Sequence, residues 1–215
     1  GANAYTLSSK GLNDGFITRI DNDGNFNWTK QLMQSGTESN GDLTIQGIDI
    51  DGLHNVIATG SFIGTYDFDP GAGSFNRTSA GGTDFFVVKL NAQGSFSWAK
   101  VLPGNEGESG TDVVVDASDA IYASGSFGRV IDLDPGPGEF LVNNPFNGAP
   151  AILKLSADGN FMYGISFPGL ENSSCLFRRM AIDGSRNLFV TGFVGGLVDF
   201  DPGAAIFPVR GTQDL

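Results

Sequence analysis

The sequence is poor in cysteine, histidine and glutamate, and each shortage narrows what the protein can be. Cys175 is the one cysteine, so no disulfide can form within the chain. His54 is the one histidine, which excludes paired-histidine metal motifs and leaves a Ser-His-Asp triad a single base in a predicted hairpin turn. Five of the 24 acidic residues are Glu and nineteen are Asp. Because Glu favours helices and Asp favours turns, this imbalance predicts a turn-rich β protein.

Positive charge and long apolar runs are scarce as well. Lys and Arg total 12 against 24 acids, a formal net charge of −12, so the basic stripe that nucleic-acid binding needs is missing. No apolar run approaches the roughly 20 residues of a membrane span, so we expect no membrane insertion. The sequence has no Gly-rich phosphate loop, and Cys175 beside Leu176 and Phe177 is interpreted as a small apolar filler. These shortages predict a protein without catalytic or cofactor-binding residues.

What the chain does contain is a repeat. The pattern Asp-x-Asp-Pro-Gly begins at Asp67, Asp132 and Asp199, with intervals of 65 and 67 residues. Two further landmarks keep nearly the same period: Gly60, Gly125 and Gly192, and the aromatic residues Trp28, Trp98 and Tyr163. We divide the chain into repeats over 1–71, 72–136 and 137–203, with a further repeat starting in 204–215. Because both ends fall inside a repeat, we expect a piece of a longer repetitive protein.

The middle repeat reads as a series of β-strands. Strands are predicted over 85–90, 95–102, 111–116 and 120–127, with a short ribbon around the Asp-Pro-Gly turn at 130–142. Both faces of the 85–90 strand are apolar, so we expect small antiparallel sheets that stack on their neighbours. The repeated glycines fall inside the last strand, which indicates a backbone close by, as where inner strands crowd around an axis. The expected fold is all-β, with four-stranded antiparallel sheets.

These residues resemble a known type of repeat. The series Phe-Val-Val-Lys-Leu, turn, Gly-Ser-Phe-Ser-Trp, then Val-Val-Val-Asp, turn, Ala-Ile-Tyr-Ala-Ser-Gly is similar to the SBBP-like bacterial β-propeller repeats of large secreted and surface proteins. The Asp-x-Asp-Pro-Gly segment resembles the longer version common in Bacteroidetes, found in exported proteins with a type IX secretion sorting domain, some of them adhesins. The resemblance implies a propeller-like array of about three blades. A linear stack of the same sheets is the alternative.

The Asp-x-Asp-Pro-Gly motif is the best candidate site. Two carboxylates at i and i+2 of a strand project from one face, and hard oxygen ligands beside a tight turn suit Ca²⁺. The candidate ligands are Asp67, Asp69, Asp132, Asp134, Asp199 and Asp201. The alternative is a turn without metal, because Asp caps turns through its own side chain and Pro fixes φ. The sequence leaves both open.

Two other patterns receive a structural interpretation. Asp21-Asn22-Asp23-Gly24 looks like the start of a calcium loop, but its counterparts keep only the glycine, so a hairpin turn is predicted. Arg19, Lys89 and Lys154 recur between apolar neighbours; they could line a channel, but we expect one ion pair per repeat with a repeated Asp such as Asp14 or Asp84.

Together these observations predict a non-catalytic extracellular or cell-surface module that acts as scaffold, spacer or adhesive surface. Its expected partners are neighbouring repeats of the same chain and a surface glycan or protein ligand. The alternative is a fragment of a carbohydrate-active β-propeller enzyme, with its site in the loops 35–42 and 104–111.

Overall fold

The structure is a computed structural model that describes residues 5–36, 40–144, 148–171, 173–203 and 205–211. Every regular element in these ranges is a β-strand, which confirms the all-β prediction. The strands are β1 (Gly15–Ile20), β2 (Phe26–Gln34), β3 (Asp42–Ile50), β4 (Val56–Ile63), β5 (Thr65–Asp67), β6 (Asn76–Thr78), β7 (Asp84–Leu90), β8 (Phe96–Leu102), β9 (Ser109–Val115), β10 (Ile121–Phe127), β11 (Val130–Asp132), β12 (Leu141–Asn143), β13 (Ala149–Leu155), β14 (Phe161–Ser166), β15 (Ser174–Ile182), β16 (Leu188–Asp199) and β17 (Pro208–Gly211). Within the described ranges, no helix of membrane-spanning length and apolarity is present.

The strands form two full sheets flanked by two half-sheets. The first full sheet has the order β3-β4-β7-β8 and the second the order β9-β10-β13-β14, both antiparallel. The N-terminal half-sheet is the hairpin β1–β2, which matches the last two strands of a full sheet. The C-terminal half-sheet is the hairpin of β15 and the 188–195 part of β16, which matches the first two. The predicted strands are therefore present, but the sheets are offset from the sequence repeats, so 85–102 and 111–127 belong to different sheets.

A short ribbon is inserted between the second and third strand of each full sheet. The ribbons are β5–β6 and β11–β12, and a third consists of the end of β16 with β17. Strand β5 pairs with β2 of the preceding half-sheet, so the first ribbon extends the outer edge of the sheet before it, whereas β11–β12 is a separate two-stranded sheet. Phe75 in the first ribbon then packs on Phe96 of its own sheet at 4.9 Å between ring centroids. Each ribbon thus carries a motif to the boundary between consecutive sheets.

Apolar cores form where neighbouring sheets face each other, as the two-sided 85–90 strand predicts. Phe86, Val88 and Leu90 of β7 enter the core shared with the N-terminal half-sheet. Phe85 and Val87, on the opposite face of the same strand, enter the core shared with the second full sheet. A third core lies between the second full sheet and the C-terminal half-sheet. Stacking therefore buries both faces of each central strand, and burial of this apolar surface stabilises the array.

Successive sheets lie closest together along the edge formed by their first strands. The first strands of successive sheets, β3, β9 and β15, lie directly against each other. Gly47 of β3 is so close to β9 that an added Cβ would lie 2.6 Å from the Cα of Asp112. At the opposite edge, the first ribbon lies beside the outer strand β2. This wedge shape is propeller-like, and the described residues form an open stack rather than a closed ring.

The repeated strand glycines lie opposite β-bulges. The partner strand carries an extra residue at Gln46, Thr111 and Arg178, next to Gly60, Gly125 and Gly192 respectively. A Cβ on Gly60 would strike the carbonyl oxygen of Thr44. The close backbone that the sequence indicates is therefore real, but it belongs to the adjacent strand of the same sheet. The reason is a bulge rather than crowding between sheets.

Candidate functional site

The first Asp of each Asp-x-Asp-Pro-Gly motif binds backbone on both sides of the ribbon turn. Oδ1 of Asp67 accepts hydrogen bonds from the N–H groups of Asp69 and Phe75, at 3.0 and 2.7 Å. Asp132 and Asp199 make the same two bonds to the residues two and eight positions on, at 3.0 and 2.8 Å in both motifs. The carboxylate thus joins the start of the turn to the returning strand.

The second Asp holds the glycine of the turn. Oδ1 of Asp69 accepts from the N–H of Gly71 at 2.8 Å, and Asp134 and Asp201 do the same at 2.7 and 2.8 Å. These bonds are those of an Asx-turn, in which the side chain takes the place of a backbone carbonyl. The six predicted carboxylates therefore occupy equivalent positions in all three ribbons, with the geometry of the turn interpretation.

This geometry leaves calcium as a prediction. Within the described ranges, the hydrogen bonds to the six carboxylates all go to Oδ1, so Ca²⁺ would have to use Oδ2 atoms, carbonyls and water. Carboxylate and carbonyl oxygens are ligands that Ca²⁺ accepts. No three His, Cys, Asp or Glu side chains among the described residues converge as a metal cluster would.

If the ribbons do bind calcium, thermal stability should depend on it. Each site should stabilise the fold by about 2.7 kcal/mol at a hundredfold excess of ion over its dissociation constant. The measurement is a thermal melt in chelator against millimolar calcium, with Asp67→Asn/Asp69→Asn as the comparison. A midpoint that does not move in the parent protein would reduce the motif to a turn.

The residue between the two Asp is an apolar anchor, a role that the sequence analysis does not predict. Phe68 and Leu133 are fully buried and Phe200 is half-buried. Phe68 lies 5.2 Å from Phe62 and 5.1 Å from Phe86 between ring centroids. The sequence does contain a signal for this anchor, because an apolar residue stands between the two Asp in all three copies. Alternation along a strand places that residue on the face opposite the two carboxylates.

The repeated cation on the third strand has a different partner from the predicted one. Lys89 Nζ lies 2.8 Å from Oδ2 of Asp51, in the turn between β3 and β4, and both side chains are buried. The expectation of Asp84 is wrong: Asp84 caps loops by accepting from the N–H groups of Ala80 and Gly104. Register explains the pairing, since Lys89 lies opposite Ile57, at the start of the strand that follows the Asp51 turn.

The same cation also binds the next sheet. Lys89 Nζ and Trp98 Nε1 both donate to the carbonyl of Ala157, at 3.0 and 3.3 Å. In the N-terminal half-sheet, Arg19 and Trp28 donate to the carbonyl of Ala92, at 2.7 and 3.3 Å. The aligned cation and aromatic residue therefore clamp the hairpin turn between the third and fourth strands of the following sheet.

The third cation has aromatic neighbours. Lys154 Nζ lies 4.6 Å from the ring centroid of Tyr122 and 5.6 Å from that of Tyr163, in cation–π range. Burial alone would raise the pKa of Asp116, but hydrogen bonds from Ser118 and Ala120 and the charge of Lys154 leave it below its usual range. Arg19 and Lys89 therefore bind a turn of the following sheet, whereas Lys154 contacts two rings of its own sheet.

The two residues most capable of catalysis occupy structural positions. His54 has φ of 63° in the β3–β4 turn, and Asp119 and Arg186 have the same conformation in the equivalent turns. Because three chemically unrelated side chains share this positive φ, the turn requires the backbone conformation and not a particular side chain. Cys175 is buried, and burial raises its pKa to about 11. A thiol with that pKa is a poor nucleophile at neutral pH.

Among the described residues, two carboxyl groups have a raised pKa, and one of them, Glu108, lies in the loop 104–111. Glu108 is 1% exposed, and its Oε1 accepts from the N–H of Gly128 at 3.3 Å. Its Oε2 has no hydrogen-bond partner among the described residues. Burial, together with the charges of Asp84 and Glu106, raises the pKa of Glu108. Burial likewise raises the pKa of Asp84.

Glu108→Gln is expected to stabilise the protein at neutral pH. The pKa of Glu108 is higher in the folded state than in the unfolded state. Glu108 therefore contributes fully to stability below the unfolded pKa, and this contribution is lost as pH rises through the folded pKa. Glutamine keeps the acceptor for Gly128 and removes the buried charge, a gain of about 1–3 kcal/mol at pH 7 that fades toward acid. Urea unfolding at several pH values measures it, with exposed Glu106→Gln as control. Equal shifts for the two variants would contradict the prediction.

The hairpin interpretation of the Asp21 segment agrees with the structure. Oδ1 of Asp21 accepts from the N–H groups of Asp23 and Asn25, at 3.0 and 2.7 Å. Gly24 has φ of 82°, and the aligned Gly94 and Gly159 have φ of 76°. The recurring glycine supplies the left-handed conformation that the turn needs.

Comparison with known proteins adds no identity. No protein-family model and no curated protein sequence matched this chain.

Proposed function

We propose that this chain is a non-catalytic repeat module that serves as scaffold, spacer or adhesive surface of a large secreted or cell-surface bacterial protein. The observation that supports it most is the use of the recurring polar residues. Aligned Asp side chains accept backbone hydrogen bonds at every copy, both in the ribbons and in the β3–β4, β9–β10 and β15–β16 turns. Residues repeated in this way maintain the array, whereas a single catalytic centre needs residues that differ from copy to copy.

The boundaries between sheets support the same proposal. Each boundary is an apolar core, and the first two are also crossed by hydrogen bonds, from Arg19 to Ala92 and from Lys89 to Ala157 respectively. A stack held in this way transmits load from one sheet to the next, and nearest-neighbour contacts let it extend by repetition. The net charge of −12 keeps a long acidic array soluble.

The enzyme alternative depends on the loops 35–42 and 104–111, and residues 37–39 of the first loop lie outside the described part of the chain. In the second loop, the Glu106 and Glu108 carboxylates accept from the N–H groups of Arg129 and Gly128. Glu108 is also buried, so a glycan could not reach it without opening the loop. This use of the acids favours a structural role over the paired-carboxylate chemistry of glycosidases.

Two measurements test the proposal. Antibodies against the chain should label intact cells of the source organism, and labelling that requires lysis would contradict the extracellular assignment. The purified chain should bind members of a glycan or surface-protein panel without releasing reducing sugar. Hydrolysis that Glu106→Gln/Glu108→Gln abolishes would instead favour the carbohydrate-active enzyme.

A further inference from the structure

The three β-bulges of the first strands bring their extra side chains to one surface. Gln46 of β3, Thr111 of β9 and Arg178 of β15 are the extra residues, and all three line one hollow of about 380 Å³. A bulge interrupts the alternation of a strand and re-aims a side chain, and bulges are frequent beside active sites. Three successive sheets therefore each contribute one re-aimed side chain to this first hollow.

The side chains at these positions differ between repeats, although the backbone around them does not. A glycine lies opposite each bulge, whereas the bulge residue and its successor are Gln46-Gly47, Thr111-Asp112 and Arg178-Arg179. The bulge itself requires no arginine, since glutamine and threonine occupy the same position in the other sheets. Maintenance of the array therefore does not explain the arginine pair of the third repeat.

The bulge in β15 exposes these two arginines side by side. Phe177 and Met180 on either side are buried, whereas Arg178 and Arg179 are exposed. Nη1 of Arg179 donates to the carbonyl of Arg178 at 3.1 Å, and the Arg178 guanidinium lies 5.6 Å from the ring centroid of Phe193. Neither arginine has a carboxylate within 4.0 Å among the described residues. Two guanidinium groups are therefore available for an anion, in a protein of net charge −12.

A second hollow adjoins the first and has a different lining. Its volume is about 360 Å³, and it shares Gln46 and Arg179 with the first hollow. Its lining adds Asp49, Asp112 and Ile48, and Ile48 is 55% exposed. Each volume lies in the range of small-molecule sites, which begins at about 300 Å³. The two hollows together form a groove that is cationic at one end and carries acids and an apolar side chain at the other.

We propose that this groove binds an acidic saccharide, whose carboxylate is held by Arg178 and Arg179. Guanidinium groups bind carboxylates through two parallel N–H bonds. The sugar rings then extend past Gln46, whose amide can donate to and accept from hydroxyl groups, to the apolar surface of Ile48. Asp49 repels a second carboxylate, so the best match has a single negative charge at the arginine end. The inference names a ligand class for the adhesive surface, and in this it rests on the proposed function.

A matched pair of disaccharides tests the proposal by chemical-shift titration of the isotope-labelled protein. Cellobiouronate has a carboxylate where cellobiose has a hydroxymethyl group, and the parent protein should bind it about tenfold more tightly or better. Arg178→Gln/Arg179→Gln should remove this difference. Gln46→Glu places a negative charge between the two hollows and should weaken cellobiouronate binding as well. The control is Arg77→Gln/Arg129→Gln, the same loss of charge at two exposed positions elsewhere, which should retain the difference.

The outcomes separate this proposal from the proposed function. If the parent bound both disaccharides equally or neither of them, or if Arg178→Gln/Arg179→Gln bound as the parent does, the groove would be overturned and the non-catalytic module would stand. Full competition by acetate at the concentration of the disaccharide would indicate a simple anion site and would overturn the saccharide. Cleavage of bound cellobiouronate would contradict the non-catalytic function, although the arginine pair would still be the binding site.

Discussion

Lys89→Met is expected to lower the free energy of unfolding at pH 7 by about 3–5 kcal/mol, the cost of removing one partner of a buried ion pair. Lys89 and Asp51 are both buried, and Lys89 Nζ lies 2.8 Å from Asp51 Oδ2. Lys89 also donates a hydrogen bond to the carbonyl of Ala157 in the next sheet. Methionine retains the apolar stem and removes the ammonium group. The variant therefore leaves a buried carboxylate and a carbonyl without their donor.

The dependence of this loss on pH identifies its cause. Burial alone would raise the pKa of Asp51, but hydrogen bonds from Lys89 and Asn55 outweigh it and leave the pKa lowered. A lowered folded pKa gives stability that is present above the unfolded pKa and is lost as pH falls through the folded pKa. The difference between parent and Lys89→Met should therefore shrink in acid, when Asp51 is protonated in both.

Denaturant unfolding at neutral and acidic pH measures both effects. Lys100→Met is the control, because Lys100 lies partly exposed on the adjacent strand β8. It should cost about 1 kcal/mol or less, as surface charges do. A Lys89→Met loss that stayed constant with pH would show that packing, rather than the ion pair, carries the effect.

The side-chain pattern along the sequence predicts where the strands lie, but it does not predict which strands share a sheet. The alternation and β-branched content of 85–90 identify a strand buried on both faces, and Phe85 and Phe86 do enter different cores. Which strands share a sheet depends on contacts far apart in sequence, such as the pairing of β4 with β7 across the inserted ribbon. Sequential strands β8 and β9 lie next to each other along the chain yet belong to different sheets. No local signal distinguishes that connection from a hairpin.

The same limit explains the site residues. The repeated Asp residues of the ribbons are predictable from the sequence, because Asp before Pro-Gly is a local turn signal. The Lys89–Asp51 pair is not predictable from the recurrence of the two residues, since choosing Asp51 over Asp84 requires the register between two strands. The burial of Glu108 is not predicted either, although Leu43 and Cys175 occupy the aligned positions and are also buried. An acidic residue at a position that is apolar in the other repeats is a sequence signal for such a buried acid.

Phe68→Ala is expected to be the most damaging change within the ribbon motif. The ring is 0% exposed and packs edge-on against Phe62 and Phe86, so truncation removes apolar contacts and leaves a cavity. Such a change costs about 3–5 kcal/mol. The loss should exceed that of Asp67→Asn, because the anchor lies in the core between the N-terminal half-sheet and the first full sheet.

Two comparisons make this prediction specific. Phe140→Ala changes another ribbon phenylalanine that is 38% exposed, and it should cost well under half as much in urea unfolding. Hydrogen exchange should report the location, because Phe68→Ala frees the ribbon that pairs with β2 through Met33 and Gln34. Amides of β2 and β5 should then lose protection before those of the second full sheet. If Phe68→Ala and Phe140→Ala proved equally mild, the ribbon would be held by its turn hydrogen bonds alone. The apolar residue between the two aspartates would then have no anchoring role.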